Sequence, residues 1–372
     1  MKEAGYDLIV CYSDDGAVFG QEYTRWLFNY QPHFEPALTI IPAEGEPWIF
    51  TGVESEEYVY TSSECRNVKV VDAFVYEAHE FPFSTSHSLG SQLVEVLGKQ
   101  DLTGTKVAIA GINRIPYTVY HQLQQVFSVD EFASADDLFV DLRKVKSAAE
   151  IEVIRYAYYI AEKGIEAAVA ALEVGKTERE VAAEAEQVMR SLGSEGMGID
   201  TMVASGARLT RPIIARTTHK ALEGNELVTL TFAPRYEGYH AAIARPIIMG
   251  EVSEDVENAV AAAIKAQKAG REQLRPGVAG NEVDAAARAV AGEHGLAENF
   301  VYTGAHSIGV SEFEPPSLAS TYTEPLVENM VFSIDIPLFF APWGGLRYES
   351  GYVIGADGAE PLQTLSDDVI RR

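Results

Sequence analysis

The chain has 372 residues, 47% of them hydrophobic, which is enough for two domains with proper cores. Its formal net charge is −26, from 29 Lys and Arg against 55 Asp and Glu. A surface this acidic repels nucleic acid and anionic membranes, but not a cationic or zwitterionic small molecule.

The chain opens Met1-Lys2-Glu3-Ala4-Gly5-Tyr6-Asp7, and the apolar run that follows, Leu8 to Cys11, is too short for a signal peptide. No later run approaches the roughly 18 to 20 apolar residues of a membrane helix. Cys11 and Cys65 are too few for a disulfide framework and read as small buried hydrophobes, so a reducing, cytoplasmic location is expected. Asp7 to Tyr12 is a predicted strand, closed by Ser13-Asp14-Asp15-Gly16. Ala37–Ile41 and Trp48–Phe50, joined by a Pro- and Gly-containing turn, predict a hairpin. Asn67 to Val71 and Lys106 to Ala110 predict two buried strands, and His87 to Leu97 and Tyr117 to Phe127 two helices. Strands alternating with helices mean an α/β domain, here residues 1–143.

Asp141 to Ser147 reads as a polar break, after which the pattern turns helical at Ile151, Ile154, Tyr158 and Ala161. Thr177 and Glu180 form a capping box before the apolar stripe Val181, Ala185 and Val188. The second region, residues 147–372, repeats itself. Leu172-Glu173-Val174-Gly175, with Glu180-Val181 after it, is echoed by Leu274-Arg275-Pro276-Gly277, with Glu282-Val283 at the same spacing. Each copy leads to two strands, Asn225–Thr231 and Tyr239–Ile248 in the first, Asn329–Asp335 and Leu346–Ile354 in the second. Such a duplication predicts an α+β domain whose halves face each other across a pseudo-two-fold axis, with a site between them.

Four local motifs carry a resemblance. They are Leu142 to Ile151, Tyr236 to Arg245, Gly304 to Gly309 continued by Phe313-Glu314-Pro315-Pro316, and Asn329 to Asp335 with Leu346 to Glu349. Together they resemble the creatinase, aminopeptidase P and prolidase ("pita-bread") family over nearly the whole chain. The resemblance implies an α/β N-terminal domain, a pita-bread catalytic domain and a homodimer whose N-terminal domain contributes to the neighbouring site. Metallopeptidases of that family hold two divalent ions with two Asp, one His and two Glu, because closely spaced hard cations require several anionic oxygens. Carried onto this chain, the positions are Thr231, Ala242, His306, Asp335 and Glu349. Thr231 and Ala242 are not carboxylates, and Phe313 stands where the peptidases have a histidine.

These departures imply a site without a metal, or with one weakly held divalent ion, closer to creatinase than to the metallopeptidases. The expected activity is metal-independent hydrolysis of a C–N bond in a small guanidino or amino-acid-derived substrate. His306 is expected as acid and base, with Asp335 and Glu349 raising its pKa, binding the cationic group and sharing a proton. Substrate contacts are expected from Tyr239, His240, Arg245, Arg347, Phe313 and Tyr302, and from His33 and Phe34 on the N-terminal loop. Two alternatives stand beside this reading: an Xaa-Pro metallopeptidase with an atypical site, and a non-catalytic binding module.

Overall fold

The computed structural model describes residues 1, 3–75 and 87–372. It divides into two compact units, Met1–Leu142 and Arg143–Arg372.

The first unit contains, in order, β1 (Leu8–Ser13), α1 (Glu22–Phe28), β2 (Ala37–Pro42), β3 (Trp48–Thr51), α2 (Glu56–Ser62), β4 (Val68–Val70), α3 (Leu89–Leu97), β5 (Val107–Ala110), α4 (Tyr117–Phe127) and β6 (Ala133–Ser134), with α5 (Asp136–Arg143) at its end. The strands form one sheet in the order β4-β3-β2-β1-β5-β6. β1 is buried along its whole length, antiparallel to β2 and parallel to β5. The predicted hairpin pairs Leu38 with Phe50 and Ile40 with Trp48. Val119, Leu123 and Phe127 recur every four residues on α4 and are buried. Cys11 and Cys65 are both buried, and neither forms a disulfide. The polar run at Asp141 begins as helix rather than as a break, since α5 continues to Arg143. Phe139 anchors that helix, buried with its ring edge-on to Tyr23 at 5.0 Å.

The second unit begins with α6 (Ala148–Ala171), α7 (Glu178–Ser191), β7 (Gly196–Met197), β8 (Met202–Ser205), α8 (Gly206–Leu209), β9 (Glu226–Phe232), β10 (Pro234–Tyr236), β11 (Tyr239–His240) and β12 (Ile243–Met249). It continues with α9 (Glu254–Arg271), α10 (Asn281–Glu293), β13 (Ala305–Ser307), β14 (Glu314–Ser317), β15 (Val331–Ala341), β16 (Gly344–Gly355), β17 (Gly358–Pro361) and β18 (Ile370–Arg371). The Thr177 capping box forms as expected, and Ser147 with Glu150 makes a second one at the start of α6. The strand expected from Tyr239 to Ile248 is interrupted at Ala241 and Ala242, because β11 pairs with β10 whereas β12 joins the large sheet.

That sheet runs β14-β13-β15-β16-β12-β9-β8, so β8-β9-β12 of the first copy mirrors β13-β15-β16 of the second about the β12–β16 contact. The repeat extends to the backbone. Gly175 and Gly277 both have positive φ, +94° and +84°, and so do Asn225 and Asn329, at +64° and +65°. Gly175 N donates to Leu222 O and Leu222 N to Lys176 O, while Gly277 N donates to Leu326 O and Leu326 N to Val278 O. The expected α/β plus duplicated α+β organisation is therefore the observed one. Two apolar clusters hold it together, one joining α6 and α7 to β9 and β12, the other joining α9 and α10 to β15 and β16. No helix among the described residues is long and apolar enough to cross a membrane.

Candidate metal centre

The site is built where β13, β15 and β16 run side by side. Asp335 on β15 lies directly opposite Glu349 on β16, and Ser333 opposite Gly351. Side chains alternate along a strand, so Arg347, Glu349 and Gly351 share a face with Ser333 and Asp335. His306 on β13 pairs with Ser333. Across the β12 side, Ala244 lies between Glu349 and Thr231 and offers only a methyl group.

His306, Glu312 and Glu349 are all buried, and one ligand atom from each lies within 4.8 Å of the others. His306 Nδ1 is 3.0 Å from the Ser307 carbonyl oxygen. A proton on Nδ1 leaves Nε2, 3.7 Å from Glu349 Oε1, with its lone pair turned to the cluster. Ser333 Oγ donates to the same Glu349 oxygen at 2.7 Å. Asp335 points elsewhere. Tyr302 donates its hydroxyl to Asp335 Oδ2, Arg347 Nε lies 3.1 Å from that oxygen, and Arg347 Nη2 donates to Tyr302 Oη at 2.7 Å. Asp335 Oδ1 is buried without a partner.

The proton affinities follow from this crowding. Burial pushes Glu312 up, and Glu349 adds to the rise against the pull of His306 and Arg347. Burial raises Asp335 to about 7, with Glu349 reinforcing it and Arg347 opposing. Glu349 is lowered, since His306, Arg347 and Ser333 outweigh its burial. Burial alone would lower His306, but Glu349 and Glu312 together raise it.

Of the residues expected from sequence, His306, Glu349, Asp335, Arg347 and Tyr302 are brought together. The second carboxylate grouped with the imidazole and Glu349 is Glu312, not Asp335. Phe313 lies over His306, ring centroids 4.4 Å apart, and is 38% exposed. His240 is fully buried, with its amide donating to Gly309 O, and Tyr239 donates to Glu150 Oε1 on α6. The Arg245 guanidinium is buried and donates to the carbonyls of Ala244 and Glu349 and to Ser350 Oγ, so it secures the backbone that carries Glu349. His33 and Phe34 belong to the first unit, where both are exposed.

Sequence reasoning missed three contributors. Glu312 is one, and its signal was an acid alternating with Glu314 in a short stretch after the histidine. Tyr158 on α6 is the second. Its ring is fully buried against Gly351, and its hydroxyl, beside Ser333 and the Ala242 backbone, makes no hydrogen bond. The third is Lys146, whose buried ammonium donates to Ser307 Oγ at 2.8 Å and to Glu314 Oε1 at 2.7 Å.

Comparison with known proteins gives these features a context. Residues 152–356 match the family Metallopeptidase family M24, and residues 1–145 match the Creatinase/Prolidase N-terminal domain. The chain is 32% identical over 256 residues to an Xaa-Pro dipeptidase of Pyrococcus horikoshii, covering 69% of this chain and 73% of that one. An Xaa-Pro dipeptidase of Pyrococcus furiosus is 31% identical over 279 residues, covering 75% of this chain and 78% of the relative. A crystal structure of the prolidase from Pyrococcus horikoshii superposes with a TM-score of 0.84 at 25% identity, covering 100% of this chain and 97% of that one. An X-Pro aminopeptidase from Thermotoga maritima gives 0.83 at 25% identity, with coverage of 100% and 97%.

These relatives lend no support to a closer kinship with creatinase. The expectation of a site without a cofactor is corrected by the metallopeptidase match together with the His306–Glu312–Glu349 cluster. The donor set fits a divalent ion, with one imidazole nitrogen and two carboxylates buried within reach of a common centre. Counting ligands from Thr231 and Ala242 missed Glu312, because it comes from the loop between β13 and β14 and not from the β9–β12 region. By family the chain is a hydrolase, and it belongs to metallopeptidase family M24.

Proposed function

We propose that the protein is a metal-assisted peptidase of the Xaa-Pro dipeptidase type, cleaving small peptides at the bond before proline. The observation that carries this reading is the buried His306–Glu312–Glu349 cluster, within a chain whose relatives over two thirds of its length are Xaa-Pro dipeptidases. His306 then moves from the acid–base role expected of it to that of a ligand, through Nε2. An ion held by these three residues would supply Lewis acidity and lower the pKa of water. Ser333 keeps Glu349 oriented and Ser307 fixes the His306 tautomer, so both ligands are set before anything binds. Asp335 carries the proton. Its Oδ2 is held by Tyr302 and Arg347, its Oδ1 is free, and its pKa near 7 lets it accept and return a proton at neutral pH. Phe313 screens His306 from solvent.

The test is hydrolysis of Xaa-Pro dipeptides by protein supplied with manganese or cobalt. The reading expects turnover that a chelator abolishes and that His306→Ala lowers by roughly a hundredfold or more. Chelator-insensitive turnover, or no cleavage of any such dipeptide with metal present, would reject it.

A further inference from the structure

Tyr158 brings a hydroxyl to the edge of the centre that the peptidase chemistry leaves unused. It lies on the inward stripe of α6 with Ile151, Ile154, Ala161 and Ile165, all buried and all aliphatic. A ring there needs no hydroxyl to pack, since phenylalanine has the same shape. The tyrosine oxygen is nonetheless present, fully buried and without a hydrogen-bond partner among the described residues. A buried hydroxyl left in that condition is unfavourable, because it has lost water and gained nothing in return. Its position is set by small neighbours. Gly351 has no side chain, and a Cβ there would collide with the tyrosine oxygen. Ser333 and the Ala242 backbone flank that oxygen, and Glu349 and Glu312 are acids whose charges reach it. Ser333 and Gly351 lie opposite each other, one step along the same face from the Asp335–Glu349 pair. The hydroxyl therefore ends at the floor of the His306–Glu312–Glu349 cluster. Neighbouring donors are already spent. Ser333 Oγ gives its proton to Glu349 Oε1, His306 Nδ1 faces the Ser307 carbonyl, and Tyr302 donates to Asp335.

We propose that Tyr158 is a further catalytic residue, whose hydroxyl donates a hydrogen bond to the water that attacks the peptide bond. The inference rests on the peptidase reading and adds to it the group that places the nucleophile. A hydrolase must hold one water in line with the scissile carbonyl, and a fixed donor lowers the entropic cost of doing so. A phenol suits this task. It keeps its proton at neutral pH, engages one lone pair of the water and leaves another for attack, and no proton leaves the tyrosine. The buried ring, packed against Gly351, holds the oxygen in one place, as a group that orients a reacting atom must be held. The missing side chains at Gly351 and the methyl of Ala242 thus acquire a purpose, since larger residues would displace the hydroxyl from the floor of the cluster.

Two measurements test this. The first is a crystal structure of the wild type, in which an ordered water should lie within about 3.0 Å of Tyr158 Oη. The second is hydrolysis of Xaa-Pro dipeptides by manganese-supplied wild type and Tyr158→Phe, with the urea midpoint of both proteins measured without metal. Loss of one such donor should lower kcat by on the order of a hundredfold. KM should stay within about twofold, because the hydroxyl touches the water and not the dipeptide. The midpoint of Tyr158→Phe should be no lower than that of wild type, since the variant removes an unpaired buried hydroxyl and keeps the ring. A tyrosine with a purely structural role would give the reverse, a lower midpoint with kcat retained, and that result would overturn the inference. A hydroxyl found bonded to Ser333 Oγ with no water against it would overturn it as well. Full turnover by Tyr158→Phe would remove the hydroxyl from catalysis and leave the peptidase reading standing. No cleavage by manganese-supplied wild type would end that reading and the inference with it.

Discussion

At the residue scale, Glu312 and Gly351 illustrate what a sequence does and does not convey. His306 and Glu349 were legible because their strand motifs carry them. Glu312 was not, because only the folded loop after Gly309 turns its carboxylate toward them. Part of the reason is a missing side chain, since a Cβ on Gly309 would sit 2.5 Å from Glu314 Oε1. Gly351 makes a comparable allowance for Tyr158, because a Cβ there would meet Tyr158 Cζ at 2.1 Å. Gly351→Ala should therefore destabilise the fold by on the order of 3 kcal/mol. Tyr158→Ala in that background should recover part of the loss, measured by denaturant unfolding, whereas Tyr158→Phe, which keeps Cζ, should not. Equal stability of Gly351→Ala and wild type would refute this packing. Asp335 gives a second prediction. Its folded pKa of about 7 lies above its ordinary value of 3.8, so the folded state binds the proton more tightly. The resulting stability is fully present below 3.8 and is lost as pH rises through about 7. In metal-free protein, the thermal midpoint of wild type relative to Asp335→Asn should fall across that window, and a difference that does not vary with pH would speak against it.

At the element scale, the repeat was legible because backbone geometry constrains it. A turn that needs positive φ selects Gly or Asn, which is why Gly175 and Gly277, and Asn225 and Asn329, could be read in register before any strand was placed. The strand at Tyr239–Ile248 was read as continuous because nothing in its composition reveals the change of partners at Ala241 and Ala242. Lys146 could not be read as buried either, since the residues around it are polar and a lone lysine is ordinarily exposed. It ties the segment before α6 to β13 and β14 through Ser307 and Glu314, and both members of the ion pair are almost wholly buried. Removing one charge strands the other, so Lys146→Met should cost about 3 to 5 kcal/mol. Lys146→Met with Glu314→Gln should be less destabilised than Lys146→Met alone. If the double variant is instead the less stable by the full sum, the two residues do not act as a pair.

At the scale of the whole molecule, fold and chemistry were legible to different degrees. Alternating strands and helices, the duplication and the family motifs gave both units, because each depends on local patterns that repeat along the chain. The centre depends on His306 from β13, Glu312 from the loop that follows it and Glu349 from β16 further along the chain, whose grouping only the assembled sheet creates. A count of ligands along the strands therefore suggested a lost site where the structure assembles a different one. The account stands on Glu312 being one of the three ligands, and calorimetric titration of manganese into metal-free wild type and Glu312→Gln tests that directly. Glu312→Gln keeps the shape of the side chain and removes its charge, so the account predicts affinity lower by about tenfold or more. Unchanged affinity in a folded Glu312→Gln would contradict it.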